Sequence, residues 1–210
     1  MTGVQTCALP IWRSVNAGSR VAVALAAIQT IAVIGAGNVG RGIAHATALG
    51  GYRTVLEDIL PANLRNAEMD IRVLVDDSVA RGEVSRSQAD AALGRIEYAS
   101  TIEDAVRQAE FVIEAVPDEI ESKLEIFSLL DRISRPNTIL ASSTFSLRIT
   151  DITDVTHCAS RCVGMRFTQP VYAMRVLEVV RARETEDAVL AAAIEVGRRL
   201  GKQVEVVRET

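Results

Sequence analysis

Three glycines and one aspartate carry the clearest chemistry in this sequence. Gly35-Ala36-Gly37-Asn38-Val39-Gly40 is a G-x-G-x-x-G turn, and Asp58 follows 23 positions after its first glycine. That is close to the spacing of about 20 at which a carboxylate meets the ribose hydroxyls of a dinucleotide. Gly35 permits the tight turn, Gly37 lets the backbone approach a diphosphate, and Gly40 lets the following helix pack closely on its strand. The helix N-terminus would then offer free N–H groups and a partial positive charge to the phosphates. Asp58 repels a 2′-phosphate, and Glu57 beside it adds to that repulsion, so the pattern favours NAD over NADP; Arg53 is the one nearby cation that could offset it.

Such a turn has meaning only between a buried strand and a helix, and the flanking sequence supplies both. Thr30 to Ile34 is a continuous apolar strand and Gly40 to Leu49 reads as a helix stopped by Gly50-Gly51. Arg53 to Glu57 reads as a second strand. Two helices, Pro61 to Arg81 and Ser85 to Leu93, follow around Gly82, the latter opening with a Ser85-x-x-Gln88 capping box. Thr101 starts a short helix, Phe111 to Val116 is a third strand, and a helix runs from beyond Pro117 to before Pro136. Further strands are expected at Thr138 to Ser142, Cys162 to Phe167, Leu177 to Val180 and Val204 to Val207, with a helix capped by Thr185 and closed by Gly201. The alternation predicts an α/β fold: one doubly wound, mostly parallel Rossmann-type sheet with a helical pair inserted after the second strand.

Bulk properties agree. The chain has 210 residues, 49% of them apolar and 24% charged, with a net charge of −4. That is a globular composition, without the basic cluster that nucleic-acid binding needs. No run reaches the length of a membrane span. Cys7, Cys158 and Cys162 form no C-x-x-C, so they are expected as reduced thiols in a cytoplasmic protein, and no metal is expected. The opening residues MTGVQTCALPI resemble the in-frame translation of a sequencing-adapter oligonucleotide, and residues 1–29 are expected to be a non-native or disordered extension.

From Thr30 onward the sequence resembles the NAD-binding domain of the L-3-hydroxyacyl-CoA dehydrogenases. The resemblance rests on IAVIGAGNVGRGIA (Ile31 to Ala44), FVIEAVPDEIESKLEIF (Phe111 to Phe127), TILASSTFSLRITDI (Thr138 to Ile152) and GMRFTQPVYAMRVLEVV (Gly164 to Val180). It implies NAD as cofactor and an acyl-CoA substrate whose CoA part lies against the inserted helical pair. It also implies a helical dimerisation domain downstream, which this chain would lack as a truncated form, so that only the full-length protein would form a homodimer. Carried over by position, it sets Ala115, Asp118 and Lys123 with the glycine turn and Asp58 around the cofactor. Asp118 stands where the family usually has glutamate.

The resemblance breaks at the chemistry. The family uses a histidine as general base, oriented by a glutamate, in a stretch like H-F-F-N-P. Here the stretch is Arg166-Phe167-Thr168-Gln169-Pro170, so Arg166 stands at the base position while Glu178 keeps the partner's. An arginine stays protonated and cannot accept a proton. Phe145 replaces a serine that usually bonds the substrate oxygen, and Ser143 replaces a neighbouring asparagine; the phenyl ring would crowd the pocket. His45 is expected to be a packed or partly exposed residue of the first helix and His157 to lie in a surface loop, neither placed for the chemistry. Arg166 and Glu178 are expected to pair. The alternatives to an acyl-CoA dehydrogenase are a catalytically impaired NAD-binding module and a relative acting on another hydroxy acid.

Overall fold

A computed structural model describes residues 28–209. The expectation for residues 1–29 lies outside this range except at Ile28 and Gln29, which lead into the first strand, Ile28 already buried in the core. Cys7 lies outside it as well.

Eight strands form one sheet in the order β3-β2-β1-β4-β5-β6-β7-β8. They are β1 (Thr30–Ile34), β2 (Arg53–Glu57), β3 (Ile96–Ala99), β4 (Phe111–Glu114), β5 (Ile139–Ser142), β6 (Cys162–Phe167), β7 (Val176–Arg181) and β8 (Gln203–Arg208). The first six are parallel, β7 runs antiparallel to β6, and β8 is parallel to β7. The helices are α1 (Asn38–Leu49), α2 (Pro61–Ala80), α3 (Arg86–Leu93), α4 (Ile102–Val106), α5 (Ile120–Ile133), α6 (Ile149–Thr153) and α7 (Asp187–Arg199).

The period-2 pattern of β1 shows why both faces must be covered. Ile31 and Val33 point into one core with Ile43 and Ala44 of α1, Ile71 of α2 and Ala192 of α7. Ala32 and Ile34 point into a second core with Ala105 of α4, Phe127 and Leu130 of α5 and Ile152 of α6. A strand buried on both sides has no polar positions to spare, hence the unbroken apolar run. Because the chain winds outward from β1 to β3 and then returns past β1 to β4, the strand ends diverge there. The crevice at the carboxyl ends of such strands is where ligands of this architecture sit.

The doubly wound sheet and the helical pair after β2 are as expected, and the Ser85–Gln88 capping box is formed in both directions. Three expectations are corrected. The first helix begins at Asn38, with Gly37 as its N-cap. A third parallel strand, Ile96–Ala99, was missed because Ile96-Glu97-Tyr98-Ala99 is a short, largely unburied edge strand without an apolar run. Glu186, not Thr185, caps α7. The Thr185 hydroxyl instead donates to the Cys162 carbonyl at 2.8 Å and accepts from the Ala182 N–H at 3.0 Å, tying the end of β7 to the start of β6. Thr185→Val keeps the shape and strands both backbone groups, so it should cost about 1–3 kcal/mol in a chemical-denaturation midpoint.

Candidate functional site

At the carboxyl ends of β1, β2, β4 and β5 a cleft of about 1160 Å³ runs across the sheet. One end is walled by Glu57, Asp58, Ile59, Ile102 and Glu103; the other by Asp118, Lys123, Ser143, Thr144 and Phe145. The glycine turn lies between them.

Steric demands separate the three glycines. Gly35 has φ +101°, and a methyl there would meet the Ala115 carbonyl oxygen at 2.9 Å. At Gly40 an added Cβ would lie 1.7 Å from the Gly35 carbonyl oxygen, so α1 can sit on the turn only without a side chain. At Gly37 an added Cβ meets nothing within 4 Å. Packing therefore does not require Gly37, whose bare surface faces the cleft. Asn38 and Val39 line the cleft beside it, and Ala115 closes it from β4.

Asp58 is held before any ligand arrives. Its carboxylate accepts from the Ala36 N–H at 2.9 Å, the Leu60 N–H at 2.9 Å and the Asn63 side-chain amide at 3.1 Å. The Gly35 N–H in turn donates to the Glu57 carbonyl at 2.8 Å, so the turn and the end of β2 move as one unit. Asn63, in the first turn of α2, was not singled out from the sequence; an amide five residues after the acid carries no recognisable signal. Arg53 offsets nothing here. It sits at the opposite end of β2, bonded to Glu97 at 2.7 and 2.8 Å and to Gln108.

The far end is organised by a residue sequence reasoning passed over. Glu114, fully buried at the end of β4, accepts from the Lys123 ammonium at 2.6 Å, the Val116 N–H at 2.8 Å and the Ser142 hydroxyl at 2.6 Å. Lys123 is 1% exposed and also donates to the Val116 carbonyl at 3.3 Å. Its place is a buried ion pair at the wall of the cleft. The available signal was an acid inside the apolar run Phe111-Val112-Ile113-Glu114, which demands a partner. Asp118 lies 3.6 Å from the same ammonium. Partial burial alone would raise its carboxyl, yet hydrogen bonds from Thr144 and Ser146, with Lys123 nearby, hold it at about 2. Asp118 thus stays ionised and pins the loop after β5, taking the Ser146 hydroxyl at 2.7 Å.

Arg166 and Glu178 face each other across the β6–β7 pairing, 3.6 Å apart. The Arg166 Nε also donates to the Thr144 carbonyl at 3.2 Å. Neither side chain lines the cleft, although Thr144 and Ser143 do. Phe145 sits at the rim, 50% exposed, so the ring does not fill the interior as its size suggested. His45 is packed in α1, where burial, with the charges of Lys202 and Arg81, lowers it to about 4. His157 is exposed after α6. Cys158 and Cys162 are free thiols.

The domain family described as 3-hydroxyacyl-CoA dehydrogenase, NAD binding domain, matches residues 30–210. This chain belongs to that family. Its cofactor is NAD. The chain is 33% identical over 182 residues to a probable 3-hydroxybutyryl-CoA dehydrogenase of Bacillus subtilis, covering 87% of this chain and 63% of that relative. A 3-hydroxybutyryl-CoA dehydrogenase of Bradyrhizobium diazoefficiens is 35% identical, with 86% and 61% covered. The solved (S)-3-hydroxybutyryl-CoA dehydrogenase of Ralstonia eutropha superposes with a TM-score of 0.83 at 32% identity, over 88% of this chain and 65% of that one. The chain thus spans a little over three fifths of these relatives. Among its described residues, no helix is long and apolar enough to cross a membrane.

Two substitutions separate packing from binding at the turn of this dehydrogenase-family domain. Gly40→Ala should lower the melting temperature sharply or prevent folding. Gly37→Ala should leave it within about 2 °C while weakening dinucleotide binding by tenfold or more, since the methyl projects where a diphosphate would lie. Lys123→Ala leaves Glu114 buried without its cation and should cost about 3–5 kcal/mol, read in denaturant unfolding.

Proposed function

We propose that this chain is the NAD-binding domain of a dehydrogenase acting on the 3-hydroxyl of an acyl-CoA, in the metabolism of fatty acids. The observation that carries the reading is the contrast within the turn: Gly35 and Gly40 are closed by backbone, Gly37 is open to the cleft, and Asp58 stands fixed to Ala36 beside it. The diphosphate lies over Gly37 at the start of α1, where N–H groups are free. Asp58 would hold the adenosine ribose, and Asp118, Lys123 and Ser143 would hold the nicotinamide end. Bound there, NAD would supply or accept the hydride exchanged with a substrate carbon at that end of the cleft. Asp118 does not take the proton there, because it is held ionised at about 2 and already accepts three donors.

Arg166 occupies the place of the family's base, and its link to the cleft runs through the Thr144 carbonyl. Set behind Thr144, it acts on the reacting end of the cleft only as a fixed positive charge at one remove, and Glu178 holds it in place across the strand pair. Such a charge stabilises an alkoxide without accepting a proton. The resulting expectation is slow turnover, better in the direction of ketone reduction. That the relatives are dehydrogenases by name favours this reading over a module without catalysis. The substrate would be an acyl-CoA, the working form a homodimer, and the compartment the cytoplasm.

Calorimetric titration should show NAD bound at least tenfold more tightly than NADP. Asp58→Ala should weaken NAD by about 10- to 100-fold, the worth of hydrogen bonds to a charged group. Equal affinity for NAD and NADP would contradict the assignment of Asp58. With acetoacetyl-CoA and NADH, Arg166→His combined with Phe145→Ser should raise turnover about 100-fold or more, the usual contribution of a general acid–base group. An unchanged rate would remove Arg166 from the reaction.

A further inference from the structure

Glu57 is a largely buried residue whose carboxyl opens onto the cleft and meets no protein partner there. It is 4% exposed at the end of β2, lines the cleft, and has no side-chain hydrogen bond among the described residues. Its neighbour Asp58, by contrast, already accepts from Ala36, Leu60 and Asn63. A carboxyl set in an otherwise buried side chain and left unpaired at the wall of a ligand cleft is free to bond a ligand atom. The surroundings say what kind. Ile59, 79% exposed, and Ile102 line the same end, so a flat apolar surface with a polar edge fits between them.

We propose that Glu57 reads the adenine base of the dinucleotide, binding a proton as the base settles against it. This rests on the reading of the cleft as the NAD site and names the group that selects the base. A neutral carboxyl offers one donor and one acceptor side by side. Its O–H donates to a ring nitrogen, and its carbonyl oxygen accepts from the 6-amino group. The proton comes from solvent, and no bond to carbon forms or breaks.

Charge supports the neutral form. The groups acting on Glu57 are Asp58 after β2 and Glu103 on α4, both acidic; Ile34 of β1 and Ala99 of β3, its neighbours in the sheet, are apolar. Burial first, then Asp58 and Glu103, raise its carboxyl to about 7. A base covering it and a diphosphate in the same cleft both push it higher. The sign follows from linkage: a ligand that raises a group's pKa takes up protons, so its affinity falls as pH rises above the free value.

The test is calorimetric titration of NAD in two buffers of different ionisation enthalpy. At pH 7.5 the expected uptake is roughly half a proton or more per NAD, and affinity falls roughly tenfold from pH 7 to 8.5. Glu57→Gln, which keeps a donor and an acceptor but no titration, should bind NAD with neither uptake nor pH dependence. ADP-ribose should reproduce the uptake and nicotinamide mononucleotide should not. A dinucleotide whose purine lacks the 6-amino group should bind wild type roughly tenfold more weakly than NAD, and Glu57→Ala should erase that preference. NAD binding without proton uptake, or uptake retained in Glu57→Gln, overturns the proposal. No NAD binding by wild type at any pH would overturn the reading of the cleft itself.

Discussion

The contact between Gly40 and the Gly35 carbonyl is the constraint on which the site depends. With no side chain between them, α1 lies directly on the end of β1 and aims its free N–H groups across the carboxyl edge of the sheet. The same turn is tied to β2 through the Glu57 carbonyl and Asp58, and to β4 through Ala115. Three strands and one helix therefore fix a short stretch of backbone. A preorganised site of this kind need not pay the entropy of ordering its own loop when a ligand arrives.

Charge organises the two ends of the cleft in opposite ways. At one end Glu114 is satisfied three times over, by Lys123, Val116 and Ser142, and so locks β4, β5 and α5 together. At the other, Asp58 is bonded while Glu57 beside it is not. Glu114 holds the frame from beneath the cleft, while Asp58 and Glu57 both face the cavity, the first partly bonded and the second free. Arg166 and Glu178 stand apart from both, behind Thr144 rather than on the wall.

Much of this was legible in residue types. The strand–turn–helix–strand context, the acid at the right distance and the capping box at Ser85 have short-range signatures, and all stand where the sequence put them. What escaped has longer-range causes. β3 is an edge strand whose pairing with β2, not its composition, makes it a strand. Thr185 looks like a cap, but tertiary structure offered its hydroxyl better partners in Cys162 and Ala182. Lys123 was set beside the cofactor by resemblance alone, and its ion pair with the buried Glu114 joins two elements that no short-range pattern connects. The rim position of Phe145 depends on the path of the loop after β5, which Asp118 sets from another element.

Resemblance and geometry meet in the cleft, and the claim at the centre is that NAD lies across it with its adenosine on the β2 side. A crystal structure of the chain grown with NAD tests this directly. It should show the diphosphate over Gly37 and the adenosine ribose hydroxyls within about 3.2 Å of the Asp58 carboxylate. A dinucleotide bound elsewhere, or lying in the reverse direction with nicotinamide against Asp58, would contradict the account.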